Sequence, residues 1–411
     1  MRLLTPRPGS TFAAFVDMSG FLFGATAMFT TMYETQAILP TIGRAFDVSP
    51  SQSGLTVSLA VIALAVAAWV WGPVSDRIGR RRSLIAASGM LVLPTLACAL
   101  APTFGVFLAM RILQGACMPG LLIVGVPYLI ETYAPRYGSR VVGYYISALI
   151  AGGLIARAGV ALLASAVGWR AALGVLTVLP AVALLVLRRT LPPEVAPARG
   201  DRAGGAKVLS LFRNPALISA TAAGCGVFFA FQAVYTYVSF RLEGPPFGLD
   251  PTLVGIIFML WLLGVFGPTA GRIAERHGWR RLAGSAMLIG AAGVLLTLTQ
   301  SLPLVILGLG FVIVSAFTGQ TAAMLGQGTS TETDKGLASA LYFSTYYVVG
   351  ALGGYFPGLA WESYGWGGVA ATAFGSYGAG LLAVVAGALV VRRLARRRAV
   401  SAGEHGEARY P

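Results

Sequence analysis

Five ionisable side chains fall inside or at the ends of long apolar stretches: Asp17, Glu34, Arg111, Glu131 and Arg157. Charge in hydrocarbon is expensive, so each is a candidate for function before it is a candidate for packing. The chemistry these types offer is proton and charge exchange. A carboxylate beside a guanidinium can trade its charge for a proton and so open the ion pair. Glu34 lies in the outer third of its stretch, at a depth similar to Arg111 and Arg157. The expectation is that Glu34 titrates, releases an arginine and alters the outer gate. The alternative is that it faces outer water at a helix end. Arg111 is either a functional charge or a tie that bonds backbone carbonyls. An unpaired Arg157 would be costly, so a carboxylate, Glu34 above all, or a substrate anion should lie close. Asp17 suits either coupling or a role at the inner helix end. Glu131, after Tyr128, reads as half of an inner gate pair with Arg136 and Arg140.

Other chemistries find no support. There is no phosphate-binding loop, metal cluster or nucleophile constellation, so the chain does not read as an enzyme and needs no cofactor. With no Walker motif, an ion gradient is the expected energy source. Cys98, Cys117 and Cys225 fall in apolar segments, without disulfide or metal spacing, and read as small packing residues. His277 and His405 fall in polar loops, away from the interior.

The elements that must position these residues are membrane helices. Residues are 56% hydrophobic and 11% charged, with a mean hydropathy of +0.75. That composition belongs to a polytopic all-α membrane protein. A bilayer crossing takes roughly 20 apolar residues. Twelve such spans are expected, at 13–40, 54–73, 83–101, 104–130, 141–166, 170–187, 215–240, 252–271, 282–299, 303–326, 337–360 and 368–391. The first resembles a signal peptide, but Asp17 and the lack of a clear cleavage site favour a retained helix.

The net charge of +15 is spread over short loops, which argues against nucleic-acid binding. Of the 30 Lys and Arg residues, 25 fall on one side of this topology; Arg44, Arg170 and Arg241 fall on the other. The positive side is the cytoplasmic one, which puts both termini in the cytoplasm of a multi-pass plasma (inner) membrane protein. The one long polar break, 188–214, holds Pro192, Pro193, Pro197 and Gly204-Gly205. It divides the chain into a six-helix bundle (1–187), a cytoplasmic linker (188–214), a second bundle (215–391) and a tail (392–411). The tail after Arg398 is polar and is expected to be disordered.

Between the second and third spans lies Gly72-Pro73-Val74-Ser75-Asp76-Arg77-Ile78-Gly79-Arg80-Arg81. A polar turn this short must sit at a membrane surface. Its glycines allow close helix approach, and Asp76 can pair with an arginine or cap a helix. Ion pairs of Asp76 that break and reform would hold the inner side closed. Gly271-Arg272-Ile273-Ala274-Glu275-Arg276-His277-Gly278-Trp279-Arg280 repeats the pattern 199 residues later, with Glu275 for Asp76. Parallel repeats of this kind place a cavity between two halves near the midplane.

The pattern Gly-x-x-x-Asp-Arg-x-Gly-Arg-Arg resembles the signature loop of the major facilitator superfamily. Further matches are Tyr33-Glu34-Thr35-Gln36-Ala37-Ile38-Leu39-Pro40, Arg111-Ile112-Leu113-Gln114-Gly115, the 237–249 connection followed by Gly255, and Tyr346-Tyr347 with Gly353-Gly354. Together they resemble the YnfM or arabinose-efflux-like branch of bacterial drug and sugar exporters. Gly143 and Gly152 keep the spacing of the exporter motif Gly-x8-Gly-x3-Gly-Pro, but Ala156-Arg157 replace its Gly-Pro. The resemblance implies twelve helices in two six-helix bundles and a proton-coupled exporter of small amphipathic molecules. A facilitator or importer of a sugar or organic anion is the alternative. It links Arg111 to proton coupling. It also implies a cavity lined by helices one, four, seven and ten, hence Tyr33, Gln36, Gln114, Met118, Phe229, Gln232, Tyr235, Gln320 and Met324. Aromatic, Met and Gln side chains suit an amphipathic ligand. The implied partners are a small-molecule substrate, protons and the bilayer, and a monomer suffices.

Overall fold

A computed structural model describes residues 11–138, 140–193, 211, 213–331 and 335–407. The apolar surface is turned outward: Leu93 and Leu382 are 73% and 72% exposed, whereas Arg111 and Arg157 are at 0%. That inversion of the soluble pattern is what a bilayer selects.

Among the described residues, twelve long helices follow one another. They are α1 (Ala13–Phe46), α2 (Pro50–Ile78), α3 (Arg80–Leu100), α4 (Phe104–Tyr137), α5 (Arg140–Val167), α6 (Trp169–Thr190) and α7 (Pro215–Glu243). Next come α8 (Pro251–Phe266 continued by Thr269–His277, bent 46°), α9 (Trp279–Thr297) and α10 (Leu302–Gly328). The last helical stretch, Lys335–Glu407, folds back at Gly365 (φ 56°, ψ −145°), which makes it α11 (335–364) and α12 (366–407). Only glycine adopts that backbone conformation without strain. The end of α12 reaches Glu407, so the tail expected to be disordered continues a helix instead. α6 runs to Thr190 and takes in the first residues assigned to the linker; 194–210 lie outside the described residues.

Local sequence sets the starts. Ser49 and Gln52 form a reciprocal capping box ahead of Pro50. Asn214 and Asp250 cap α7 and α8, each ahead of a proline at the first helical position. Gly79 (φ 92°, ψ 148°) and Gly278 (φ 85°, ψ 143°) turn the chain between α2–α3 and α8–α9. Closely matching backbone geometry at the 199-residue offset is the structural counterpart of the sequence repeat. Gly72 and Gly271 meet nothing within 4 Å, so the close approach expected of them is not made in this conformation.

α2 has 29 residues, so at about 1.5 Å per residue it separates its ends by about 44 Å. The Arg77–Arg82 loop marks one end of the bundle; the 47–49 and 244–250 turns mark the other. At that second end the two halves pack directly. Arg44 donates to Glu243 at 3.0 Å, Ser239 to the Ala37 carbonyl at 3.2 Å and the Ser51 amide to Glu362 at 3.2 Å. A little deeper, Ser58 donates to the Ala351 carbonyl at 2.7 Å. A Cβ on Gly54 would lie 2.1 Å from the Gly354 carbonyl oxygen, so only glycine permits this approach of α2 to α11.

Candidate functional site

The first helix does not run straight. Its α-helical part stops at Tyr33, and the chain passes through Glu34 and Thr35 into a 3₁₀ turn, Gln36–Ile38, before Leu39–Phe46 resumes. Such a break frees backbone carbonyls that hydrocarbon cannot satisfy. Arg111 fills the gap. Its Nη1 donates to the Thr31 carbonyl (2.9 Å), its Nη2 to the Met32 carbonyl (2.8 Å) and its Nε to the Thr56 carbonyl (2.8 Å). Arg111 also pairs with Glu34 at 3.2 Å, and both side chains are fully buried. Gln114, one turn on, donates to the same Glu34 Oε1 at 2.8 Å and to Thr95 Oγ1 at 3.0 Å. Its own Oε1 accepts from Arg111 at 2.7 Å. The carbonyl tie expected as one alternative for Arg111 is present, and a buried carboxylate pair with Glu34 stands beside it. Glu34 is not at the water-facing helix end, and its Oε2 is buried without a hydrogen-bond partner.

Arg157 sits on a π-helical turn, Ile155–Gly159, within α5. π-turns in α-helices recur at functional positions because they re-aim a side chain. The expected Glu34 partnership is not formed; the carboxylate belongs to Arg111. Arg157 Nε donates to Gln36 Oε1 at 2.7 Å and Nη1 to the Gly153 carbonyl at 3.1 Å, while buried Nη2 has no partner. Its guanidinium carbon lies 4.2 Å from the ring centroids of both Tyr33 and Trp261. Each desolvated cation–π contact contributes about 2 kcal/mol. The two rings thus offset much of the several-kcal/mol cost of dehydrating an ion. Trp261 comes from the second half and is held by its indole N–H on the Ile150 carbonyl at 3.0 Å. Gly153 makes room: a Cβ there would be 2.4 Å from the indole nitrogen.

The expected lining residues divide. Tyr33, Gln36 and Gln232 come together at the seam: Gln36 Nε2 donates to Thr236 Oγ1 (3.2 Å) and to Gln232 Oε1 (3.5 Å) on α7. Gln114 and Met118 do not line a space between the halves. Gln114 is sequestered with Glu34, and Met118 is fully buried in the first half's apolar core. Phe229 lines a groove of about 410 Å³ on α7, α11 and α12, beside Cys225, Val349 and Ser376. Tyr235 is buried, with its hydroxyl on the Leu309 carbonyl at 2.9 Å. Gln320 is half-buried, and Met324 is 42% exposed on α10. Sequence reasoning missed Trp261, Phe231 and Phe29. An indole N–H in an apolar run needs an acceptor, and that signal pointed to Trp261.

At the Arg77–Arg82 end, Asp17 pairs with Arg136 at 3.0 Å and accepts from the Tyr137 hydroxyl. That is a helix-end contact within the first half. Glu131 does not pair with Arg136 or Arg140; its partner is Arg80 of the signature loop. Arg81 caps α6 through the Leu191 and Arg188 carbonyls at 2.9 and 3.0 Å. Asp76, Arg77, Glu275 and Arg276 are exposed and form no ion pair among the described residues.

The seam between two helical halves, with buried charge on broken helices, defines a membrane transporter. Residues 20–354 match the Major Facilitator Superfamily, and the chain belongs to that family. It is a multi-pass secondary transporter and not an enzyme. It is 29% identical over 350 residues to the MFS-type transporter YybF of Bacillus subtilis (strain 168), covering 83% of this chain and 85% of that relative. It is also 29% identical over 376 residues to the inner membrane transport protein YnfM of Escherichia coli (strain K12), covering 87% of each. Among solved structures, the nucleoside transporter NupG shares the fold with a TM-score of 0.75 at 13% identity, over 92% of this chain and 99% of that one. An occupied, inward-facing bacterial homologue of the lysosomal transporter Spinster gives a TM-score of 0.73 at 17% identity, over 93% and 97%.

Proposed function

We propose that this protein is an inner-membrane exporter that moves small amphipathic organic molecules by alternating access, in exchange for protons. The observation that carries the reading is Glu34: a fully buried carboxylate with one oxygen bonded to Arg111 and Gln114 and the other bare. Oε2 is the atom to take a proton. Protonation removes the charge that Arg111 balances and loosens the break in α1. The contacts between the halves described above lie toward the end away from the Arg77–Arg82 loop. The positive-inside rule puts that loop, and with it both termini, in the cytoplasm. The conformation is then closed to the outside, and Glu34 would receive its proton once the outer seam opens. The pair of six-helix units, 1–187 and 215–391, rocks about this seam.

A second reading is a facilitator or importer of an organic anion. The uncompensated charge of Arg157 favours it. Dye efflux from cells, or uptake into inverted vesicles, is the test. Export that collapses with a protonophore supports exchange. Export that survives it, or downhill uptake alone, replaces exchange with facilitation.

A further inference from the structure

The direction of the hydrogen bonds at the seam is forced. A guanidinium can only donate, so Gln36 must turn its oxygen to Arg157 Nε. Its amide nitrogen then faces α7 and donates to Thr236 and Gln232. Gln232 in turn must present its oxygen, which leaves its own Nε2 free. Two buried donors remain without acceptors, Arg157 Nη2 and Gln232 Nε2. They sit at the two ends of one chain, on α5 and α7, and Gln36 joins them. The orientation of both amides follows from the arginine and is not a matter of choice.

The charge at this point is also uncompensated. Arg111 has Glu34; among the described residues Arg157 has only neutral acceptors and the faces of Tyr33, Trp261 and, farther off at 5.8 Å, Phe231. Phe29 and Phe317 pack on Trp261, with centroids 6.5 and 4.9 Å away, and both are half-buried. Flat apolar walls thus adjoin a pair of orphaned donors, one of them cationic. A bound cation would be repelled here, and a neutral molecule would leave the charge unbalanced.

We infer that the transported molecule is an amphipathic organic anion with a single negative charge and a flat, preferably aromatic, body. Its anionic oxygen takes the free Arg157 Nη2 and Gln232 Nε2, and its ring replaces one of the aromatic faces on the guanidinium. Arg157 and both donors are covered in the present conformation, so Tyr33 or Trp261 swings aside as the ligand enters. This assignment rests on the transporter reading and names the substrate class of that same seam.

The test is equilibrium binding to the purified full-length protein in nanodiscs. Benzoate, 2-naphthoate and indole-3-acetate serve as probes, each compared with its neutral amide and its amine analogue. A charge-assisted hydrogen bond at a buried site predicts that at least one carboxylate binds about tenfold or more tighter than its amide. Arg157→Gln should erase that preference. Gln232→Leu, which leaves the charge in place, should weaken the carboxylate alone. Arg157→Lys, which keeps charge but not the planar fork, should fall between. The assignment is overturned if no carboxylate binds, or if amides or amines bind as tightly. It is overturned equally if folded Arg157→Lys and Gln232→Leu proteins both bind carboxylates like wild type, which guards against misfolding of Arg157→Gln. Proteoliposomes separate this from the exchange reading. Arg157-dependent binding without proton-driven movement sinks exchange and leaves the ligand class standing. Proton-driven movement of amines or neutral molecules, indifferent to Arg157, does the reverse.

Discussion

Glu34→Gln is the sharpest perturbation of the proposed coupling site. The amide keeps an oxygen where Oε1 accepts from Arg111 and Gln114, and its nitrogen takes the place of Oε2, which receives no hydrogen bond. Arg111 retains its three carbonyl bonds and Gln114, so the fold survives. What is lost is the charge on the acceptor of two buried bonds, from Arg111 and Gln114. Charged hydrogen bonds contribute about 1.5–3 kcal/mol and neutral ones about 0.5–1.5, so the change over two bonds is about 2–3 kcal/mol, or about thirty- to a hundredfold in the equilibrium it biases. The variant is thereby fixed in its protonated form. Reconstituted into proteoliposomes, it should carry out substrate counterflow near the wild-type rate, because that reaction needs no net proton movement. Accumulation driven by an imposed pH gradient should be abolished, and the pH dependence of counterflow should flatten. Gradient-driven accumulation at the wild-type level, with its pH dependence intact, would refute the assignment of Glu34 as the proton carrier.

Three further outcomes follow from the packing. Gly54→Ala puts a methyl 2.1 Å from the Gly354 carbonyl oxygen and 2.3 Å from the Tyr237 hydroxyl, wedging α2 from α11. A cysteine at buried position 51 (S51C), in a background without the native cysteines, should then react faster with an impermeant maleimide. Gly115→Ala meets the Ala60 carbonyl oxygen at 2.1 Å inside the first half. It should lower the thermal midpoint by overpacking, about 1–3 kcal/mol, without raising that labelling. Asp76→Asn, at an exposed residue of the signature loop, should slow cycling more than it weakens binding; a change in apparent affinity alone would overturn a conformational role.

The architecture was legible because its signals are compositional and periodic. Apolar length placed the helices, and the Gly79 and Gly278 turns fell where the repeat required. The buried pairs were only partly legible. Depth along a helix brought Glu34, Arg111 and Arg157 to one level, but depth does not say which face a side chain uses. Two local events decide that, and neither is written as a periodicity. The chain leaves α-helical geometry after Tyr33, which turns Glu34 toward Arg111 and away from Arg157. The π-turn at Ile155–Gly159 adds a residue to the turn and so re-aims Arg157 relative to the face a regular helix would give it. Gln114 was misplaced for the same reason: one turn from Arg111, it follows the arginine into the first half. Glu131 was paired with its nearest sequence neighbours, whereas the fold brings Arg80 across from another helix.

The break in α1 links the two charged groups in one mechanism. Glu34 and Gln36 are two residues apart on the irregular segment, and they face different partners. Glu34 reaches into the first half, to α4 through Arg111 and Gln114. Gln36 reaches α5 through Arg157 and crosses the seam to Thr236 on α7. In the proposed cycle a proton on Oε2 removes the restraint that holds the segment against Arg111. Any rotation of the segment then moves Gln36 against α7 and alters the donors that face the substrate. A ligand that draws Arg157 Nη2 toward itself acts on the same segment from the other end. Proton and substrate need no contact with each other; three residues of broken helix, Glu34 to Gln36, transmit the competition. By linkage, whatever proton binding does to substrate affinity, substrate binding must do to proton affinity in equal measure. Glu34→Gln and Arg157→Gln should therefore be non-additive in substrate affinity despite belonging to separate hydrogen-bond clusters. Strict additivity in that double-mutant cycle would break the link and leave two independent sites.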